Sequence, residues 1–244
     1  MRKFVLVALA AAVPLAFSAD AMAANKVTYT LKISPAKKSV SSKKLRTVSI
    51  NPIIKYANVD STKTVDPLGS TDLILPKGFK FVTKGFKTCK QSVLAAKTCG
   101  RTGLLGAGSA SFIAAAGTTT IPANTAPIKG NVPKNGGILN YLSGPSKFFI
   151  LSNAEKPVQD QRTFPGQLIS GASPIIRIPV YKIVVATLTV SVTKFDAPIG
   201  GVVKAATTCP KGGWTSTAKT KFRTPDGNSV TSTVVSATAK VKCS

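Results

Sequence analysis

A mainly β fold is what the sequence predicts: an antiparallel β-sandwich of jelly-roll-like form, with roughly ten strands and one short helix. Three observations carry that expectation. Apolar and polar residues alternate over residues 27–33 and again over 184–193, the two-residue period of strands with one buried face. Thr224-Pro225-Asp226-Gly227-Asn228 is a hairpin signature, with proline at the second turn position and glycine where the chain needs a positive φ. Elsewhere proline and glycine punctuate short apolar runs, and only the segment after Thr88 carries a helix-start pattern.

In chain order, residues 27–33 form the first strand, and a basic loop through Lys37, Lys38, Lys43 and Lys44 follows it. Residues 45–56 resume strand character. Asn51-Pro52 marks an edge or a bulge there, because proline offers the ladder no N–H. Residues 60–70 read as loop, and 72–82 as a strand broken at 76–78. Thr88 with Gln91 three residues on fits a capping box, residues 93–96 favour a helical turn, and Gly100 sits where a helix stops. Residues 109–115 make a strand, and Gly106 and Gly108 before it read as tight-turn glycines rather than a dinucleotide loop, which needs a β-α-β setting. Residues 117–133, rich in Thr, Pro and Asn, read as a long connection, and the chain would divide there if it held two β units.

Short strands at 138–142 and 148–151 flank the turn Ser143-Gly144-Pro145, and 153–166 is again loop. Residues 175–195 are the most β-rich stretch. Val184, Ala186, Leu188, Val190 and Val192 share one face of its second half, while Pro179 and Lys182 separate the first half or bend it onto a second sheet. In the terminal hairpin Thr224 faces Asn228, so Phe222 meets Val230 and Ala218 meets Val234, with Trp214 on the same face and Lys219, Lys221 and Arg223 on the wet one. The apolar phase of the return strand changes at Val234-Val235, so a bulge there should shift the pairing by about one residue.

The first residues have the layout of a secretory signal: Arg2-Lys3, an apolar run over residues 4–17, and a small-residue end at Ala21-Met22-Ala23. Cleavage after Ala23 makes 1–23 the signal peptide and 24–244 the exported β-sandwich domain. No later apolar run approaches the roughly 20 residues of a membrane span. The chain holds 33 Lys and Arg against 8 Asp and Glu, a formal net charge of +25, and Arg2, Lys3 and Asp20 leave with the signal. Lysine supplies nearly all of that excess. A hydrated point charge without a planar fork suits diffuse attraction to anionic cell-wall polymers or lipid headgroups better than sequence-specific nucleic-acid reading. Lys37, Lys38, Lys43 and Lys44 are the densest candidate contact.

The four cysteines lie in the exported part, and four cysteines allow three pairings. Cys89 with Cys99 and Cys209 with Cys243 is the expected one, since each pair closes a local unit. A continuous helix from Cys89 to Cys99 would hold the two Cα atoms about 15 Å apart, so the helix must be short. With no histidine in the chain and no Cys-x-x-Cys pair, no metal site or cofactor is expected, and the usual Ser-His and Cys-His bases are excluded. Catalysis would fall to carboxylates, Glu155 with Asp160 or Asp60 with Asp66, all in polar loops beside lysines, so the chain is not expected to be an enzyme.

Leu75-Pro76-Lys77-Gly78-Phe79, Cys89-x9-Cys99-Gly100 with Gly106-x-Gly108 following, Cys209-Pro210-Lys211-Gly212-Gly213-Trp214, Asp226-Gly227 and a final cysteine together resemble a group of uncharacterised exported proteins of high-GC Gram-positive bacteria. The resemblance covers most of the exported chain. It implies a secreted, disulfide-stapled β fold and no catalytic role. Three functions follow as expectations: a non-enzymatic binding or structural protein of the cell envelope, a carboxylate-dependent hydrolase of envelope polymers, or a carrier of lipid or a small ligand inside the sandwich.

Overall fold

The computed structural model describes residues 25–35, 45–95, 99–116, 119–126, 128, 137–154, 161–180, 182–185, 188–205 and 209–242. The expected signal peptide, the four loop lysines Lys37, Lys38, Lys43 and Lys44, the pair Glu155 and Asp160, and Cys243 lie outside the described residues.

The molecule is an antiparallel β-sandwich in two layers. In the first, β15 (Val230–Val241), β14 (Trp214–Arg223), β3 (Leu68–Ile74), β10 (Ile175–Pro179), β9 (Gln161–Ile169), β8 (Lys147–Asn153) and β7 (Ile138–Gly144) are hydrogen-bonded in that order, and β7 pairs with the start of β5 (Leu104–Ala116). In the second, the rest of β5 lies between β6 (Thr119–Asn124) and β12 (Leu188–Asp196). Beyond β12 come β2 (Arg46–Asn58), β13 (Ile199–Ala205) and β4 (Lys80–Phe81), while β1 (Asn25–Ser34) pairs with β2, and β11 (Val184–Val185) with β12. The helix α1 (Gln91–Ala95) and its flanks connect β4 to β5.

β5 is the corner. Its first residues, Leu104 to Gly108, pair with β7 in one layer, and Ser109 to Ala115 pair with β12 in the other. A Cβ at Gly106 would overlap the carbonyl oxygen of Pro198, and one at Gly108 that of Asp196, so only glycine lets the layers fold over here. This corrects the tight-turn reading of both. The turn glycines are Gly100 and Gly103, at φ 55° and 72°. Between the layers, the Tyr29 and Ser216 hydroxyls lie 2.9 Å apart, and two aromatic pairs, Tyr56 with Phe222 and Phe79 with Trp214, meet edge to face at 6.2 and 5.4 Å.

Pro52 sits inside β2 without breaking it. Its carbonyl accepts the Ala197 N–H at 3.3 Å, so its missing N–H faces the link between β12 and β13. The ladder with β12 ends at Ile53 and that with β13 begins at Ile50, so no ladder bond is lost.

Several expected loops and turns are corrected. β6 occupies part of 117–133 and β9 part of 153–166, both containing a proline on a side with no strand neighbour. β3 begins at Leu68, inside the expected loop 60–70. The second half of 175–195 is two strands, β11 turning back on β12 with Val184 opposite Thr189. The bend at Pro179 does carry the chain between layers, since β10 lies in the first and β12 in the second. The helix starts at Gln91, three residues after the expected cap at Thr88. In the terminal hairpin the tip pairs Arg223 with Val230, and past an irregularity Lys221 meets Val234, so Phe222 and Ala218 do not meet the expected partners. The shift is larger than one residue and lies nearer the tip than Val234-Val235, although Trp214, Ala218 and Phe222 do share the buried face.

Cys89 and Cys99 are joined, with Cα atoms 5.9 Å apart. Cys209 is also disulfide-bonded, and its expected partner is Cys243, outside the described residues.

Candidate functional site

Small residues on the inner face of the corner strand open the site. Ala110, Phe112 and Ala114 alternate inward along β5, and Ala123 on β6 and Ala154 after β8 add two more short side chains, all four alanines being buried. On β12 an extra residue, Thr193, interrupts the ladder with β5. It resets the alternation, so that Val190, Val192 and then Phe195 face the same space. The opposite layer contributes Ile138, Ile150, Phe164, Ile178 and Val180.

Four alanines in place of larger residues leave the two faces incompletely filled. The result is a single apolar recess, about 80 Å³ in volume, that opens to solvent. A water there would find almost no partner. The polar groups lie at two places. At one, Tyr56 and Thr71 hydroxyls are 3.1 Å apart and Thr71 lies 3.2 Å from Thr220, a closed chain of hydroxyls. Burial pushes the Tyr56 phenol well above its usual pKa, and the hydrogen bonds from Thr71 and Thr220 only partly offset that. At the other, Ser152 and the half-buried Arg162 line the recess, and Arg162 donates to the Val184 carbonyl at 3.0 Å on the solvent side. Among the described residues Arg162 is the one ionisable cation in the lining.

The expected carboxylate pair Asp60 and Asp66 is not part of this site. Asp60 accepts the Thr62 N–H and hydroxyl at 3.0 and 2.6 Å, which holds its carboxyl below the usual range, and it lies 3.8 Å from Lys63. Asp66 accepts from the Asn25 side chain at 2.8 Å, and partial burial pushes its carboxyl up. Asp60 closes its own turn, and Asp66 ties its loop to the start of β1. Among the described residues no three His, Cys, Asp or Glu side chains gather as a metal site. The recess residues were not singled out from the sequence. The Ala-x-Phe-x-Ala spacing of β5 is the one signal that points to them, since it places small side chains where a sandwich core calls for large ones.

Comparison with protein-family models, curated proteins and solved structures finds no match for the chain, so its chemistry has to be read from these residues themselves.

Proposed function

We propose that the protein is an exported, non-enzymatic binding protein that holds a small apolar ligand between its two layers. The observation that carries this is the recess on the inner face of β5, apolar throughout except for Arg162, Ser152 and the Tyr56–Thr71 end. At about 80 Å³ the recess is smaller than the roughly 150 Å³ of a cavity that takes benzene, so a ligand must extend from it through the opening. A single short acyl or isoprenoid chain has that shape. Arg162 beside the opening suits an acidic end group, because a guanidinium presents a planar fork to carboxylate or phosphate. The excess of positive charge would keep such a carrier near anionic wall polymers or lipid headgroups, with a strength that falls as salt rises.

Titration with a fluorescent fatty acid, together with native mass spectrometry of the exported protein, tests the reading. Saturable one-to-one binding that persists in high salt and is lost in Ala114→Leu is expected. Binding that is equal in wild type and Ala114→Leu, or no binding, would remove the recess as the site.

A further inference from the structure

We infer that the end of the sandwich formed by the segment between β4 and β5 docks onto an anionic lipid bilayer, with Phe86 and Val82 entering the interface and the lysines around them contacting headgroups. This surface lies toward the Leu104 end of β5, whereas the recess lies along Ala110 to Ala114, so the inference does not depend on the ligand reading.

Phe86 is 42 % exposed and Val82 36 %, unusual for such side chains on a surface strap that is firmly held. The Val82 N–H bonds to the Val202 carbonyl at 2.8 Å, and the Phe86 N–H closes a turn onto the Thr83 carbonyl at 3.1 Å, with Gly85 at φ 85°. The Phe86 ring rests over Gly201, where an added Cβ would come within 2.9 Å of it. The Thr83 hydroxyl donates to the Pro145 carbonyl at 2.8 Å, which joins the β7–β8 turn to the same surface. At the far end of the strap the Cys89 N–H donates to the Leu142 carbonyl at 2.7 Å, and the Cys89–Cys99 bridge closes it. The apolar side chains are therefore presented on a braced support.

Charge selects the partner. Lys80, Lys84, Lys87 and Lys90 on the strap are exposed, as is Lys147 on the neighbouring turn. Every charged residue between Asp72 and Glu155 is basic, so no carboxylate from this part of the chain competes for those lysines. Lysines alone would fit any polyanion. The bare phenyl and isopropyl groups gain nothing from a soluble polyanion, but they gain from the acyl boundary a few ångströms below lipid headgroups, with lysine stems lying along it.

The test is flotation of the full exported chain with vesicles of equal parts phosphatidylglycerol and phosphatidylcholine, with pure phosphatidylcholine vesicles, and retention on dextran sulfate. Binding to the anionic vesicles and not to pure phosphatidylcholine is expected, together with retention on dextran sulfate. Val82→Ser with Phe86→Ser should lower vesicle binding about tenfold or more and leave retention on dextran sulfate unchanged. Lys84→Gln with Lys87→Gln should weaken both, by about fivefold per lysine at low salt. Phe86→Trp, which keeps an apolar ring in place, should bind as wild type, and the emission of its new indole should shift to the blue on anionic vesicles. Vesicle binding undiminished by the double serine variant, or an indole emission that does not move, would overturn the inference and leave attraction of lysines to polyanions in general.

Discussion

Filling the recess from β5 should strengthen the protein while emptying it of ligand. Ala114 is 2 % exposed and lines the cavity, so Ala114→Leu sends three more carbons into a void of about 80 Å³. At about 24 cal/mol per Å³, removing that void is worth about 2 kcal/mol, and three buried carbons at about 0.8 kcal/mol each give a similar figure. Strain subtracts from this, since overpacking a filled core costs about 1–3 kcal/mol. The expected result is a gain of up to about 2 kcal/mol in urea unfolding, or about 4–8 °C in melting midpoint for a chain of this size. Ala218 supplies the control, because it is fully buried in the same sandwich but lies outside the recess. Ala218→Leu should lose about 1–3 kcal/mol. If the two variants are destabilised alike, the space beside Ala114 is not there to be filled, and the ligand proposal loses its basis.

Three further outcomes follow from the packing and the ionisable groups. Replacing Cys89 and Cys99 by serine opens a loop with a sequence separation of 10. It should cost about 2.7 kcal/mol by the chain-entropy argument, and hydrogen exchange should rise in residues 82–103 before it does in β2 or β14. Gly108→Ala puts a Cβ onto the Asp196 carbonyl, so it should cost about 3 kcal/mol or more, read as a lower urea midpoint with unchanged slope if the fold survives. Burial raises the phenol pKa of Tyr29 to about 12 and that of Tyr56 further, against which their hydroxyl hydrogen bonds act only partly. The folded state thus holds these protons more tightly: the stability is fully present below the ordinary phenol value near ~10 and lost as pH rises through the folded values. In an alkaline titration part of the tyrosinate absorbance should appear only together with loss of the β-sheet circular dichroism signal. Full ionisation by pH 11 with the fold intact would contradict it.

Strands whose alternation is unbroken were legible, and strands whose apparent breakers have a positional excuse were not. Pro165 and Gly166 make β9 look like a loop. Yet at Pro165 the strand pairs only with β8, because the ladder with β10 runs over Gln167 to Ile169, and Gly166 leaves room for the Phe148 ring. Pro122 is tolerated in β6 for the same reason, since only β5 flanks it. The hairpin signature at Asp226-Gly227 located the turn, with Gly227 at φ 73°, but Thr224 faces Ser229 rather than the expected Asn228, so the loop is one residue longer. The signature does not contain the irregularity between Lys221 and Arg223, which arises where β14 must also match β3 and slips against it at the same place. Local turn chemistry specifies the tip, and the third strand decides the register beyond it.

The candidate site is less legible, because a cavity is a relation between faces rather than a property of any segment. Alanine at 110 and 114 is compatible with a tightly packed strand, as buried Ala218 on β14 shows. What makes the two alanines of β5 different is what lines the same recess: Ala123 and Ala154 are also short, and the extra residue at Thr193 turns Phe195 rather than Lys194 inward. The rest of the sandwich is filled by Trp214, Phe79, Leu73 and Ile54, all under 2 % exposed, so the chain does not lack large residues to place there. A core that packs an indole against a phenyl ring at one end and gathers four alanines at the other, beside an arginine, has left apolar room next to a cation, which is what the proposed ligand would need.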